Sequence, residues 1–511
     1  MQASIGALIA QAARRFGDKT ALVFEGRTWS FAQLDHRSSL VAQALIDRGV
    51  SRGAVVSLYS PNCPEWIIAY FGILKAGAVV NPLNLMLTPS EAAFAIADCG
   101  AVAVFGSAEK IAGLQAQAGA TGVRDYIQFD GVPLGGALHL ERLLEQTSGL
   151  GDYPRAGIGP DDVSTIGYTS GTTGHPKGAV LSHRSILMNV AMTATLHVRN
   201  PGDVVVSALP LSHVYGNVVM NAAMGYGMTL VLHRQFDAEA ILHSIQTWRA
   251  TLFDGVPTMY HYLLDHPRLA DFDLSSLTRC TVGGQTMPEA KMEQVEARFG
   301  CRLLELWGMT ELGGLGATHS LYGPRRLGSI GIPLPHQQAR IVDPATGETV
   351  AAPGVVGELQ MRGPIVMTGY HSRPEATREV LGTQGWLHTG DLARIDEDGF
   401  IFVVDRLKDM IITAGFNIYP AELERVISEH PGVAMVAVGS VPDASKGELA
   451  KAYIVRRQGI EVEPGTLEQH CRERLAAYKV PRSFMFVDDL PKTASGKVMR
   501  RRLRECFEQG E

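Results

Sequence analysis

Cysteine is scarce, six in 511 residues, at Cys63, Cys99, Cys280, Cys301, Cys471 and Cys506. No two form a Cys-x-x-Cys pair and none joins histidines at zinc-binding spacing, which excludes the common structural zinc sites and thioredoxin-type redox centres. So few thiols in so long a chain also exclude a disulfide framework and point to a reducing, cytoplasmic setting. An excess of charge of one sign is missing too. Forty-six basic residues face 52 acidic ones, a net charge of −6, which gives no electrostatic ground for a nucleic-acid partner. Long apolar runs are absent. The longest, Trp66–Val80, is interrupted by Gly72, Lys75 and Gly77 and falls short of the ~20 residues a spanning helix needs, so no integral membrane segment is expected. Near the start, the run Gly6–Ala10 is short, and Arg14 and Arg15 follow it where a secretory signal would put its positive charge first.

What is present is the composition of a globular enzyme. Hydrophobic residues make up 46% and charged residues 19%, which leaves no room for disorder as the main state. The length exceeds the ~250–300 residues at which one core stops growing, so two or three domains are expected. Glycine is abundant, 55 residues, and glycine serves where backbone must approach a ligand closely or turn sharply.

Along the chain, helical and strand patterns alternate. Phe31–Arg48, Pro64–Ala76 and Ser90–Cys99 have helical spacing; Ala54–Tyr59 and Ala101–Phe105 read as short buried strands. This order predicts an α/β fold with strands covered by helices. Asp396–Gly399 reads as a hairpin turn between Leu392–Ile395 and Phe400–Val404. After the polar stretch Asp405–Asp409 a different unit begins: Ile411–Thr413, a helix at Ala421–Glu429, strands Val433–Val438 and Ala450–Val455, and a helix at Leu467–Leu475. The predicted organisation is a large α/β N-terminal domain, residues 1–404, and a small α+β C-terminal domain, residues 405–511.

The densest chemistry lies at Tyr168–Gly178, Tyr-Thr-Ser-Gly-Thr-Thr-Gly-His-Pro-Lys-Gly, preceded by the apolar Val163–Gly167. Hydroxyls at Thr169, Ser170, Thr172 and Thr173, small Gly171 and Gly174, and the Lys177 ammonium suit a cradle for phosphate oxygens. It is not a Walker A loop, because Pro176 stands where that motif has its second glycine.

This segment resembles the phosphate-binding motif of the adenylate-forming superfamily: acyl- and aryl-CoA synthetases, luciferases and peptide-synthetase adenylation domains. Trp29–Leu34, Leu74–Pro82, Trp307–Glu311, Gly357–Leu359, Thr389–Asp391, Asp405–Asp409 and Pro491–Lys497 resemble further motifs, in family order. The resemblance implies a multi-sheet N-terminal domain and a mobile C-terminal one. It also implies activation of a carboxylic acid with ATP and Mg²⁺ to an acyl-adenylate, then transfer to coenzyme A. Thr310 matches the position that contacts the α-phosphate, and Glu311 the magnesium ligand. Trp307, followed by Gly308 and Met309, matches the aromatic that stacks on adenine. Gly283, Gly284 and Gln285 resemble the turn beside the adenine, and Asp391 and Arg406 match the groups that hold the ribose hydroxyls. Lys497 matches the catalytic lysine, whose cation would stabilise charge where carboxylate meets phosphate. Lys408 matches the hinge, and Gly415 and Phe416 the loop that faces the thiol.

Pro210–Gly216 resembles the acyl-site motif and makes His213 a gate candidate. Candidate pocket residues are His213, Val214, Tyr215, Val218, Leu306, Gly308, Met309 and Leu315; Val214, Tyr215, Val218, Leu306, Met309 and Leu315 include no cation. A glycine at 308 stands where acetate-type enzymes place a tryptophan. A medium- or long-chain fatty acid is favoured on these grounds. The alternatives are an aromatic acid of benzoate or hydroxycinnamate type, or loading of a carrier protein in place of CoA. The self-association left open is a homodimer. A serine hydrolase is the rival from another class, on the strength of Gly49-Val-Ser-Arg-Gly53, but this lies between a helix pattern and a strand pattern, the reverse of a nucleophile elbow.

Overall fold

The computed structural model describes residues 4–147, 150–151, 153–155, 157–169, 176–347, 352–382, 384–413, 416–443, 445–493 and 498–507. Two large sheets dominate. The first has nine strands in the order Ile332–Pro333, Gly314–Thr318, Arg302–Met309, Arg279–Gly283, Leu252–Gly255, Val204–Ser207, Thr229–Leu232, Thr20–Phe24 and Arg27–Ser30. It is parallel between Arg302–Met309 and Thr20–Phe24 and antiparallel at its edges. The second, eight-stranded sheet runs Gly369–Tyr370, Lys177–Ser182, Val163–Thr169, Val79–Pro82, Val55–Tyr59, Ala103–Gly106, Asp125–Gln128 and Ala137–His139. This is the multi-sheet α/β architecture expected.

The core explains the texture of the sequence. Helix Pro64–Lys75 is buried at every position but Glu65, as expected of a helix that is apolar all round. Proline at its first turn costs nothing, since that N–H has no intrahelical partner. The helix packs against Phe31–Asp47, and a Cβ on Gly72 would lie 2.4 Å from Val41 Cγ1, so only glycine allows this approach. Helix Phe31–Asp47 starts at a capping box in which Ser30 and Gln33 satisfy each other's backbone donors. Lys75 is fully buried. Its ammonium donates to Asp35 O (2.8 Å), Asp35 Oδ1 (2.5 Å), Ser38 Oγ and Ser39 Oγ (both 2.9 Å), which offsets the cost of burying a charge.

A four-stranded antiparallel sheet follows: Gln338–Val342, Gly357–Arg362, Leu387–Ile395 and Ile401–Arg406. The last unit has five strands and its own apolar clusters, drawn from residues 411–507. Asp405 joins the two. It pairs with Leu392 in the four-stranded sheet, and its Oδ2 accepts from the N–H of Ala421 at 2.7 Å.

Two helices begin earlier than their apolar spacing indicates: Pro420–Ser428 and Pro464–Arg472. In both, proline occupies the first helical position with φ already set for the turn. Gly49–Gly53 connects helix Phe31–Asp47 to strand Val55–Tyr59, the helix-to-strand order that a nucleophile elbow does not have. All six cysteines are free thiols. Among the described residues no helix is long and apolar enough to cross a membrane.

Candidate active site

Strands Val163–Thr169 and Lys177–Ser182 form an antiparallel hairpin that pairs Thr169 with Lys177. Ser170, Gly171, Thr172, Thr173 and Gly174, the heart of the expected phosphate cradle, lie outside the described residues. Its flanks are held firmly. The Tyr168 phenol donates to Asp98 Oδ2 at 2.6 Å, and Arg373 donates to Asp98 Oδ1 at 2.6 Å. Gly167 faces Thr310: a Cβ on the glycine would lie 2.9 Å from Thr310 Cγ2. The hairpin and Thr310, 143 positions apart by number, are thus in contact.

Thr310 and Glu311 sit in the turn Thr310–Leu312, between strands Arg302–Met309 and Gly314–Thr318. The strand before the turn ends with Trp307, Gly308 and Met309, at the carboxyl edge of the parallel sheet, where ligands bind in open α/β folds. Its neighbour places Gly283 beside Leu306, with 2.2 Å between a Cβ on the glycine and Leu306 Cδ1. Gly284 takes φ +90°, so the chain turns away there with Gln285 half-buried after it. Trp307 is half-buried, its ring packed against Gly316. The indole N–H donates to Asp391 Oδ2 at 2.8 Å, and Arg406 lies 3.6 Å from Asp391 Oδ1. Trp307, Asp391 and Arg406 are therefore one cluster.

Glu311 is buried, and burial raises its pKa; hydrogen bonds from its own backbone N–H and the Tyr370 phenol (2.8 Å to Oε1) and the charge of Arg406 oppose this, while Asp391 adds to it. Lys177 reaches over the Tyr370 ring, 5.4 Å from its centroid. A buried hard carboxylate beside the hairpin expected to cradle phosphate fits magnesium, which takes one or two carboxylates and completes its shell with phosphate and water oxygens. Among the described residues no group of three or more His, Cys, Asp or Glu side chains is arranged to hold a metal by itself.

The expected acyl-side residues fall into two groups. His213 caps helix Val214–Tyr226, its Nδ1 accepting from the Tyr215 N–H at 3.2 Å, and is exposed. Val214 is half-buried, and Val218, Leu306 and Leu315 are buried, Val218 meeting the backbone at Gly314. Tyr215 is buried with its hydroxyl 2.5 Å from Thr281 Oγ1, in a network that continues to Asp254 and Arg199. Gly308 has a reason of its own. The strand pairing shifts register between Trp307 and Gly308, and a Cβ on Gly308 would lie 2.0 Å from the Gly314 carbonyl oxygen.

Lys408 is exposed in the turn Leu407–Asp409. Phe416 is exposed and its ring packs at a tilt against Tyr478, with centroids 4.8 Å apart. Gly415 and Lys497 lie outside the described residues. Three contributors escape the sequence reading. Tyr370 and Asp98 are described above; Asn189 donates to Leu312 O (3.2 Å) and Leu315 O (2.7 Å), clamping the turn that carries Glu311. Each acts through a partner far away in the chain, and no local pattern marks it.

The fold thus packs the hairpin that pairs Thr169 with Lys177 against a turn that bears Thr310 and the buried carboxylate of Glu311. The chain belongs to the AMP-binding enzyme family, which it matches over residues 9–371, and residues 422–497 match the AMP-binding enzyme C-terminal domain. It is 36% identical over 529 residues to a long-chain-fatty-acid–CoA ligase of Bacillus subtilis (strain 168), covering 98% of this chain and 94% of that one. To a feruloyl-CoA synthase of an Amycolatopsis species it is 37% identical over 505 residues, covering 98% and 99%. The crystal structure of the anthranilate CoA ligase AuaEII in complex with anthranoyl-AMP superposes with a TM-score of 0.93 at 27% identity, covering 99% and 97%. The protein is an adenylate-forming ligase of the AMP-forming acid–CoA ligase type that binds ATP.

Proposed function

We propose that the enzyme joins a medium- or long-chain fatty acid to coenzyme A in two half-reactions. First, a carboxylate oxygen attacks the α-phosphorus of ATP, the bond to the β-phosphate oxygen breaks, and pyrophosphate leaves. Then the CoA sulfur attacks the acyl carbon, the bond from carbon to the phosphate oxygen breaks, AMP leaves, and the thiol proton passes to solvent. Trp307, Gly283, Gly284 and Gln285 would embrace the adenine, and Asp391 and Arg406 the ribose. The 169–174 loop, Lys177 and Thr310 would bind phosphate oxygens. Lys497 would bridge carboxylate and α-phosphate, where a preorganised cation is worth most. Magnesium, when bound at Glu311, supplies positive charge to the phosphate oxygens. The domain boundary at 405, with Lys408 as its hinge, would let Gly415 and Phe416 approach the thiol in the second step.

What supports the fatty-acid reading is the character of the acyl-side candidates Val218, Leu306 and Leu315. All three are buried and apolar, and the one phenol among the pocket candidates, Tyr215, is already bonded to Thr281. A hydroxycinnamate would leave its ring hydroxyl without a partner among such side chains, whereas an alkyl chain loses nothing. Aromatic acids are the second reading, favoured by the likeness to the feruloyl-CoA synthase. Comparing kcat/KM for C6–C16 fatty acids, benzoate and ferulate tests the choice. Fatty acids should lead by tenfold or more, at roughly 1–3 kcal/mol per mismatched group; ferulate as the best substrate would overturn it.

A further inference from the structure

Residues 367–373 clasp the site from one side. The Met367 N–H donates to the Glu311 carbonyl at 2.7 Å, Thr368 N–H to Val180 O at 3.0 Å, and His371 N–H to Gly178 O at 2.7 Å. Between them, Gly369 and Tyr370 pair with Val180 and Ala179 at the sheet edge. Arg373 ties the far end to Asp98, which also receives the Tyr168 phenol. The clasp therefore spans both flanks of the phosphate hairpin and the turn of Glu311.

Tyr370 is its centre. The phenol donates to Glu311 Oε1 at 2.8 Å, while the ring lies beneath the Lys177 ammonium, 5.4 Å away. Glu379 Oε2 lies 4.0 Å from the Lys177 ammonium. The Tyr370 main chain is fixed in turn by Thr377, whose hydroxyl oxygen accepts from its N–H at 2.9 Å. One rigid side chain thus meets a carboxylate in the turn Thr310–Leu312 and a cation at the start of strand Lys177–Ser182, 134 positions apart by number.

We propose that Tyr370 is a positioning residue for the phosphate chemistry. Its hydroxyl holds one oxygen of Glu311, which would leave the second for the metal, and its face holds Lys177 at the end of the hairpin. A carboxylate held by a hydrogen bond cannot rotate without losing that bond, and a ring face attracts an ammonium without neutralising it. This rests on the reading of Glu311 as the magnesium carboxylate and of Lys177 as a phosphate-binding cation.

The test uses the full-length protein with Tyr370→Phe, which removes the donor and keeps the ring. Melting is measured without nucleotide, with ATP and EDTA, and with ATP and Mg²⁺; pyrophosphate release is then followed against Mg²⁺ concentration. The expected result is an apo melting temperature lower by no more than about 2 °C, an unchanged shift with ATP and EDTA, and loss of the extra shift from Mg²⁺. The Mg²⁺ needed for half-maximal release should rise about tenfold, with KM for the acid unmoved. Tyr370→Leu, which also removes the ring, should in addition lose the shift with ATP and EDTA. Wild-type Mg²⁺ dependence in Tyr370→Phe, or an equal rise in the KM of ATP and of acid, overturns the proposal. Glu311→Gln separates the two layers: if it too keeps wild-type Mg²⁺ dependence, the assignment of Glu311 itself falls.

Discussion

Replacing Glu305 with Gln should flatten the dependence of stability on pH. Glu305 lies in strand Arg302–Met309, two residues before Trp307, and is 1% exposed. Burial pushes its carboxyl from 4.5 up to about 8; the N–H of Met287 opposes the rise and the charge of Glu289 adds to it. Among the described residues its Oε2 has no hydrogen-bond partner. The fold therefore binds this proton more tightly than the unfolded chain does. Between pH 4.5 and about 8 the folded protein holds a proton that the unfolded chain has released, so stability falls as pH rises through that window. At about 1.4 kcal/mol per tenfold change in proton affinity, the whole window is worth about 5 kcal/mol, of which about 3 kcal/mol lies between pH 5.5 and 8.5. With ~2.1 cal/mol/K of unfolding entropy per residue over ~400 residues, that is about 3–4 °C in melting temperature. Scanning fluorimetry at one scan rate, on wild type and Glu305→Gln from pH 5.5 to 8.5, reads it directly. The variant should gain about 3–4 °C on wild type across the range. Parallel curves would refute the reasoning, because they would mean that Glu305 holds no proton the unfolded chain has lost.

Other outcomes follow from the same packing. Asp254→Asn leaves the Arg199 guanidinium, fully buried and bonded to Asp254 at 2.7 and 3.1 Å, without its counter-charge; about 3–5 kcal/mol of stability should be lost. Asp161→Asn, at an exposed pair with Arg184, should leave the melting temperature where it is. Gly308→Ala drives a Cβ into the Gly314 carbonyl and should cost about 1–3 kcal/mol in denaturant titration; an unchanged midpoint would contradict the bulge geometry. Lys497→Ala should abolish pyrophosphate release yet spare thioester formation from supplied acyl-adenylate, and Lys408→Pro should do the reverse. Equal loss in both half-reactions would remove the assigned roles.

Much of the architecture was legible because it is written in local patterns. The alternation of helix and strand runs, the hairpin at Asp396–Gly399 and the glycine–hydroxyl–lysine stretch each draw on neighbours within a few residues. The helix starts at Pro420 and Pro464 were misplaced because apolar spacing reports the buried face and not the first turn, which proline sets. Gly308 shows the limit in the site. From sequence it reads as room for an acyl chain, while the fold gives it a second role, since the bulge beside Gly314 admits no Cβ. Tyr370, Asp98 and Asn189 were out of reach for a plainer reason. Each matters through a partner 59 to 275 positions away, and spacing carries no information about such contacts.

The central claim is that one site makes an acyl-adenylate and then passes the acyl group to CoA. Its most direct test is pyrophosphate release with ATP, Mg²⁺ and a panel from acetate to C16 fatty acids, benzoate and hydroxycinnamates, with and without CoA. The account predicts sustained turnover that requires CoA and is strongest with medium- or long-chain fatty acids. A single burst of pyrophosphate that CoA does not convert to turnover, on any acid, would contradict it.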